Sequence, residues 1–369
     1  MKNTSPDQRF ADLLHHRAHR LAKGDPVAPG IFSATTFHLP DTDARFKYAR
    51  MSTPTWEELE EQLSILEAAP CIAFPSGMAA ITAALFATLK AGDHLILPSD
   101  GYYVTRVLGT EFLTGLGISI TEIPTSRFVT TDFSGAAVVY LETPSNPGLD
   151  LADIAEIATR AHLTGAKVIV DNTTMTPLLQ RPLDLGADIV VAADTKAPAG
   201  HSDVLFGHTA TRDPALMKRM ADWRRISGSV PGSFEAWLVH RGIETLELRL
   251  DRMCRSAQII AERLSQHVRI KNLRFPGLPA DPSHTIALKQ MSGFGFLMTF
   301  ELDSETAAEA FLATCPYIAQ TTSFGGTHSA GERRARWGDL VAPGFIRLSI
   351  GCEPTEPLWA AIDAALTGT

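Results

Sequence analysis

Residues 167–196 (KVIVDNTTMTPLLQRPLDLGADIVVAADTK) contain the pattern that decides the fold. Two runs within them, Lys167–Asp171 and Asp188–Ala192, are short, apolar and rich in β-branched residues, as buried strands are. The first run ends at the acidic Asp171, and the second leads into a loop that carries Lys196. In a parallel sheet, ligands bind at the carboxyl ends of the strands, so both side chains are expected at a ligand site.

An acid at a strand end, followed by a lysine on a later loop, suits the chemistry of pyridoxal 5'-phosphate (PLP). A lysine amine forms a Schiff base with the cofactor aldehyde. A buried carboxylate keeps the pyridine nitrogen protonated, so that the ring accepts electrons. Most lysines after a strand are solvated surface charges. The prediction for Lys196 and Asp171 therefore depends on agreement with other segments.

Strand-like and helical patterns alternate from Cys71 to about Ala193. Helices are expected between the strands, notably over Met78–Leu89 and Ala152–Leu163. Besides the two runs above, the candidate strands are Cys71–Phe74, His94–Pro98, Ser119–Ile123 and Ala137–Leu141. This alternation predicts an α/β domain with a mainly parallel sheet.

The segments on either side have a different pattern. Residues 8–21 predict an amphipathic helix, a Pro- and Gly-rich arm covers 24–40, and Thr55 begins a capping box for the next helix. After about residue 230, the expected elements are a long helix over 246–264, strands over 293–302 and 345–350, and helices near 304–314 and 355–367. The predicted units are an N-terminal arm (1–45), a PLP-binding domain (46–229) and a smaller α+β C-terminal domain (230–369).

The composition is that of an ordinary soluble globular protein. Of the 369 residues, 45% are hydrophobic and 20% are charged, which is enough for a large core and two domains. The net charge of −8, with no dense basic run, disfavours nucleic acid or an anionic membrane as a partner. The four cysteines form no C-x-x-C, and residues 1–5 show no apolar segment of a signal peptide, so a reducing cytoplasm is expected.

Two local patterns have a second interpretation. The uncharged stretch 68–89 is long enough to span a membrane, but Pro70 and Pro75 interrupt it, which favours a buried strand, a turn and a helix. His15 and His19 lie one helical turn apart, a spacing that can bind a metal. Because no further ligand cluster is visible, a solvated helix face is favoured there and no metal is expected.

Polar residues in several other segments are candidates for the ligand site. The turn Ser76–Met78 joins a strand to a helix and can cradle a phosphate, although many such turns bind nothing. Tyr102 can stack on a planar cofactor or pack under a loop, and Asn146 between prolines can face a ligand or serve a turn. Arg347, inside an apolar strand, indicates either a carboxylate ligand or an exposed sheet face.

Together these segments resemble the Cys/Met-metabolism family of PLP-dependent enzymes, which includes cystathionine γ-lyase, cystathionine γ-synthase, cystathionine β-lyase and methionine γ-lyase. The resemblance runs in order from about Thr36 to Leu366 and is closest to bacterial proteins labelled cystathionine γ-lyase. The matching pieces are Tyr48-Ala49-Arg50 with Pro54-Thr55, Ser76-Gly77-Met78-Ala79, Asp100 with Tyr102, Glu142–Pro147, Val170–Thr173, Asp194-Thr195-Lys196, Gly200–Leu205, Arg241-Gly242 with Thr245-Leu246, Ser323–Gly326 and Ile346–Ser349.

The resemblance implies PLP fold type I (aspartate-aminotransferase-like) and a homotetramer of two active dimers. Lys196 would hold the cofactor and move protons, Asp171 would pair with the ring nitrogen, and Tyr102 would stack on the ring and assist proton transfer. The implied cofactor-binding residues are Lys196, Asp171, Tyr102, Ser76, Gly77, Met78, Thr195, Asn146, Tyr48 and Arg50, the last two reaching a neighbouring subunit. The implied substrate-binding residues are Arg347, for the α-carboxylate, Asn146, Ser323 and His328.

Several positions depart from the pattern of the family. Ala193 and Thr53 stand where serine and asparagine are usual, and Val104 is not the cysteine typical of methionine γ-lyase, which disfavours that enzyme. His328 stands where the family has a glutamate associated with the distal end of cystathionine. A histidine there can carry positive charge or donate a hydrogen bond, so a different γ-substituent stays open.

The expected activity is α,γ-elimination from L-cystathionine or a related γ-substituted L-amino acid, within transsulfuration. Two alternatives use the same cofactor: γ-replacement on an activated homoserine, and elimination of a non-sulfur group such as halide. A catalytically silent binding protein is disfavoured by the intact Lys196, Asp171, Tyr102 and Arg347. A nucleotide-binding α/β protein is disfavoured because neither G-x-G-x-x-G nor a P-loop motif occurs.

Overall fold

The first helix is shorter than its sequence pattern predicts. The computed structural model describes residues 6–40 and 43–368; residues 1–5, on which the signal-peptide expectation rests, lie outside the described residues. Helix α1 covers Pro6–Leu14, and Ala18–Arg20 forms a separate turn, so the prediction of one helix over 8–21 is wrong. The interruption falls at His16, whose ring Nδ1 lies 2.7 Å from the carbonyl oxygen of Leu13 and so occupies a helical acceptor.

The arm after α1 is fastened to the next helix. Helix α2 covers Pro54–Glu67, and the Thr53 hydroxyl accepts a hydrogen bond from the amide of Trp56 at 3.3 Å. The N-cap is therefore Thr53, and the predicted capping box at Thr55 is wrong. The Thr55 hydroxyl instead accepts a hydrogen bond from the amide of Phe32 at 2.9 Å, which holds the arm against the start of α2.

A mixed sheet forms the centre of the larger part of the chain. Its strands are β1 Cys71–Phe74, β2 His94–Pro98, β3 Ser119–Ile123, β4 Val138–Glu142, β5 Lys167–Asp171, β6 Ile189–Ala192 and β7 Gly207–Ala210. Their order is β1-β7-β6-β5-β4-β2-β3, and the two pairings of β7 alone are antiparallel. The mainly parallel sheet is confirmed. Strand β7 was not predicted because its sequence, Gly-His-Thr-Ala, has no apolar run.

Helices cover both faces of this sheet. They are α3 Gly77–Thr88, α4 Tyr103–Val107, α5 Ile154–Leu163, α6 Thr176–Leu179, α7 Pro214–Ser227 and α8 Ser233–Ile243. On β5, Val168 and Val170 belong to one buried apolar cluster and Ile169 to another, since side chains alternate along a strand. Burial on both faces explains the continuous apolar sequence of β5. Over the described ranges 6–40 and 43–368, no helix combines the length and apolar character needed to cross a membrane.

A second sheet organises the rest of the chain. The remaining elements are α9 Leu246–Leu264, β8 Lys271–Arg274, α10 His284–Gln290, β9 Leu297–Glu301, α11 Glu305–Thr314, β10 Ala319–Gln320, β11 Ala330–Arg333, β12 Phe345–Ser349 and α12 Thr355–Gly368. The strand order is β10-β11-β12-β9-β8, antiparallel except between β10 and β11. The predicted boundary at residue 230 falls between α7 and α8, and the division into domains stays a prediction.

Candidate active site

The predicted site residues come together at the carboxyl ends of the parallel strands. Asp171 is the last residue of β5, and Lys196 follows β6. Their charges lie close enough for each to shift the pKa of the other. Tyr102 follows β2 at the same edge. From the second sheet, Arg347 on β12 reaches Asn146, which follows β4, so residues of both sheets contribute to the site.

Lys196 has the environment of a reactive amine. Its Nζ lies 2.7 Å from Oγ of Ser323 and 4.8 Å from the centre of the Phe324 ring. Burial, together with the nearby charge of Arg347, lowers the pKa of Lys196 to about 8. A sizeable fraction of the amine is therefore neutral slightly above neutral pH, as a nucleophile or proton acceptor requires.

Asp171 is buried among neutral hydrogen-bond donors. Its carboxylate accepts from the Tyr140 hydroxyl at 3.1 Å and from the Thr173 amide at 2.9 Å. Burial raises the pKa of Asp171, because desolvation disfavours the charged form. A protonated pyridine nitrogen would supply the opposite charge that this carboxylate needs, and the acid therefore fits the ring of PLP.

The start of α3 has the close packing of a phosphate cradle. A Cβ on Gly77 would lie 2.7 Å from Cβ of Ala193, and a Cβ on Gly207 would lie 2.7 Å from Cα of Gly77. Ser76 caps the helix by accepting from the amide of Ala79 at 3.1 Å. The amides of the first turn and the positive end of the helix dipole suit an anion, so these residues fit the phosphate of PLP.

Replacing Gly77 with alanine is expected to weaken PLP binding by about 10-fold, the scale of an overpacking cost of about 1–3 kcal/mol. The new methyl group would press on Ala193 and displace the first turn of α3. Equilibrium titration of the PLP-free protein with PLP measures the effect. The matched control is Gly115→Ala, because nothing lies within 4 Å of a Cβ at that position. Equal PLP affinity in Gly77→Ala and the wild type would contradict the cradle.

Arg347 is buried, so the interpretation as an exposed sheet face is wrong. It is 3% exposed. Its Nη1 donates to Oδ1 of Asn146 at 2.5 Å, and its Nη2 donates to the carbonyl of Ser323 at 2.9 Å and to the carboxylate of Glu332. Burial lowers the pKa of Arg347 to about 10, which leaves it charged at neutral pH. A buried guanidinium beside a reactive amine suits the carboxylate of an amino acid.

Tyr102 and Thr195 lie beside the site, and they differ in how open their side chains are to a ligand. The Tyr102 amide donates to the carboxylate of Glu142 at 2.6 Å, while 38% of the residue is exposed, which leaves ring surface for a ligand. Burial raises the pKa of Tyr102. The Thr195 hydroxyl donates to the carbonyl of Phe206 at 3.1 Å and accepts from its amide at 2.9 Å. That hydroxyl is therefore engaged within the chain, and its role toward phosphate stays a prediction.

Three further predicted residues lie on the surface. Tyr48 and Arg50 are exposed, and the Arg50 guanidinium stacks 5.4 Å from the centre of the Tyr48 ring. His328 is also exposed. Its loop is joined to the loop after Lys196 by a 3.0 Å hydrogen bond from the Thr327 amide to the carbonyl of Gly200. Across residues 6–40 and 43–368, no group of three His, Cys, Asp or Glu side chains is placed to hold a metal ion.

A buried ion network that the sequence did not reveal supports the Lys196 loop. His208 on β7 places Nδ1 2.9 Å from the carboxylate of Asp194 and Nε2 3.2 Å from that of Glu67. All three residues are at most 1% exposed. Burial opposes the charge of His208, but the two carboxylates raise its pKa to about 10. Asp194 lies two residues before Lys196, so the charged His208 ring anchors the start of the loop that carries Lys196.

The sequence profile of the Cys/Met metabolism PLP-dependent enzyme family matches residues 12–367. The chain belongs to this family. It is 46% identical over 355 residues to a Streptomyces coelicolor protein provisionally named cystathionine gamma-lyase, covering 94% of this chain and 90% of that protein. It is 37% identical over 337 residues to the cystathionine gamma-synthase of Mycobacterium tuberculosis, covering 87% and 86%. The crystal structure of metB from Corynebacterium glutamicum has a TM-score of 0.94 at 32% identity, covering 99% and 100%.

Membership of the Cys/Met metabolism family confirms the predicted family, fold and cofactor. PLP is the cofactor, the fold is PLP type I, and the substrate is a small amino acid. The relatives carry different reaction names, a lyase in one case and a synthase in the other. The family therefore establishes a PLP-dependent enzyme of cysteine and methionine metabolism, whose members run more than one reaction.

Two residues at the site were missed by sequence reasoning. Tyr140 bonds Asp171 from the neighbouring strand, and Glu332 bonds Arg347 across the β11–β12 pair. Both lie in strands. Tyr140 stands among the apolar residues of β4, which is an available signal, whereas Glu332 is followed by Arg333 and Arg334 and gives no such signal. The sequence does not identify the residue to which either side chain bonds, because that pairing depends on strand order and register.

Proposed function

We propose that this member of the family catalyses α,γ-elimination of L-cystathionine or a related γ-substituted L-amino acid. From L-cystathionine and water, the products would be L-cysteine, 2-oxobutyrate and ammonia. The observation that carries the proposal is the Lys196 amine, which lies 2.7 Å from Ser323 Oγ and has its pKa lowered to about 8 by burial. An amine of this kind beside a carboxylate-binding guanidinium can move protons at the α- and β-carbons of an amino acid.

The residues of the site divide this work. PLP, when bound, supplies an electron sink that stabilises negative charge at the substrate α-carbon. Lys196 would accept the α-proton and return a proton later, while Arg347 would hold the α-carboxylate. Asp171 would hold the charged ring nitrogen, Tyr102 would stack on the ring, and the turn Ser76–Met78 would hold the phosphate.

A second candidate is γ-replacement on an activated homoserine. The observation in its favour is the 37% identity to a cystathionine gamma-synthase over most of both chains. Elimination of a non-sulfur group such as halide is a further alternative, which stays open because His328 stands where the family has a glutamate. These reactions differ in which group leaves the γ-carbon and in whether a nucleophile then takes its place.

The proposal includes the assembly and its location. A cytoplasmic homotetramer would place Tyr48 and Arg50 at the PLP phosphate of a neighbouring subunit. Both residues are exposed in the single chain and line a cleft of about 520 Å³ together with Gly228 and residues 230–235. The arm (1–45), PLP-binding domain (46–229) and C-terminal domain (230–369) belong to the same proposal. A measured solution mass of one chain would contradict this assembly.

A parallel product assay tests the reaction. The PLP-loaded protein is offered L-cystathionine, O-acyl-homoserines and γ-halogenated amino acids, each with and without added cysteine. Formation of 2-oxobutyrate and cysteine from cystathionine alone is the expected result. Turnover of an O-acyl-homoserine only when cysteine is present would mean that the enzyme is a synthase and not a lyase. No product from cystathionine, together with release of halide from a γ-halogenated amino acid, would indicate an enzyme specialised for that elimination.

A further inference from the structure

A chain of alternating charges extends from Arg347 toward the surface. Glu332 on β11 accepts from Nη2 of Arg347 and, at 2.7 Å, from Nη1 of Arg334. Arg334 in turn lies 2.6 Å from Asp339. The first two residues of this chain, Arg347 and Glu332, are each 3% exposed, and Arg334 is 9% exposed. The carboxylate of Glu332 is therefore a buried anion shared by two guanidinium groups.

The position of Glu332 is set by strand pairing and by a tryptophan. In the antiparallel pair of β11 and β12, Glu332 is the direct partner of Arg347, so both side chains point to the same face of the sheet. The second carboxylate oxygen of Glu332 accepts from Nε1 of Trp337 at 2.9 Å. Because both oxygens are engaged, the carboxylate cannot rotate without breaking a hydrogen bond.

We propose that Glu332 is the positioning residue for Arg347 and thereby sets the affinity of the site for the substrate α-carboxylate. This inference deepens the proposed function and rests on its assignment of Arg347. A long arginine side chain has many rotamers, and a fixed partner removes that freedom before the substrate arrives. Glu332 and the Ser323 carbonyl hold Nη2, and Asn146 Oδ1 holds Nη1, so the guanidinium plane is defined from two directions.

The test measures binding of L-alanine to the PLP-loaded enzyme by calorimetry, together with steady-state kinetics. L-Alanine has the amine and carboxylate but no γ-substituent, so its affinity reports on Arg347 whichever γ-reaction the enzyme runs. A failure of the proposed reaction is thus distinguishable from a failure of the positioning role. Glu332→Gln keeps the size and loses the charge, and we expect its Kd for L-alanine to rise about 10-fold, as for loss of a charge-assisted hydrogen bond.

The same variant, Glu332→Gln, should raise KM by a similar factor and leave kcat within about threefold, because the lost contact holds the substrate carboxylate equally in the ground state and the transition state.

Trp337→Phe is a second variant that tests the same role without risk to folding. It removes one hydrogen bond to Glu332 at a residue that is 58% exposed. It should raise the Kd in the same direction by about threefold. The matched control is Glu309→Gln, which removes a carboxylate bonded to Arg333 and Arg336 on the same segment and should leave the Kd unchanged. An unchanged or lower Kd in Glu332→Gln, or an unchanged Kd in Trp337→Phe, would overturn the proposal.

Discussion

Lys196→Ala is expected to lower kcat by about 10⁴-fold or more, the upper range for loss of a general base. In the proposed reaction, the amine of Lys196 would be both the attachment point for the cofactor and the proton acceptor. Its environment supports both roles, because burial lowers its pKa to about 8 and the Ser323 hydroxyl holds it at 2.7 Å. Alanine supplies neither an attachment point nor a base.

The measurement combines product formation with the absorbance of the dialysed protein. The variant should lose the cofactor on dialysis more readily than the wild type, because no covalent link retains it. Lys218→Ala is a suitable control, since that side chain is 78% exposed and pairs with Asp222 on the surface. Near wild-type turnover in Lys196→Ala would contradict the proposed role of Lys196. The control Lys218→Ala should be indistinguishable from the wild type.

The second large effect concerns the stability of the fold. His208→Gln is expected to lower the free energy of unfolding by about 3–5 kcal/mol near pH 6, as when one partner of a buried ion pair is removed. The variant leaves the carboxylates of Glu67 and Asp194 buried without a cation between them, at most 1% exposed to solvent. Because Asp194 lies close to Lys196 in the chain, the variant should also weaken PLP binding.

The pH dependence of this effect identifies its cause. The folded protein holds the pKa of His208 at about 10, above the value near 6.5 of an ordinary histidine. The charged ring therefore stabilises the fold fully below about pH 6.5, and this contribution is lost as the pH rises toward 10. Urea unfolding of wild type and variant, at about pH 6 and about pH 10, should show a difference that narrows at high pH. An unchanged difference would mean that His208 is neutral in the folded protein; the exposed His19→Gln serves as the control.

The sequence predicted most of the large sheet and its ligand edge. Strands β1, β2, β3 and β5 were predicted with their observed bounds. For β1, β2 and β5 the reason is that short apolar runs between turns are the signature of strands buried on both faces. Strand β3 differs, because it lies at the edge of the sheet and has no buried residue. Strand β7 was not predicted from the sequence. A strand paired on both sides can contain Gly and His, because the two neighbouring strands supply its hydrogen bonds. Helix α1 was predicted too long because periodicity does not report a side chain that competes for a helical carbonyl, as His16 does.

By itself, the sequence determined the family, the fold class and the cofactor, and it predicted Asp171 and Lys196 as the residues that hold that cofactor. The family and the fold type follow from the resemblance of its motifs to those of a known family, and the local apolar runs add the α/β sheet pattern. The tertiary structure alone decided that Arg347 is buried against Glu332 and that His208 bridges Glu67 and Asp194. The partners in the second network are 141 and 14 residues apart from His208 in the chain. Charge pairing of this kind depends on which strands become neighbours and in which register, and a linear pattern does not specify either.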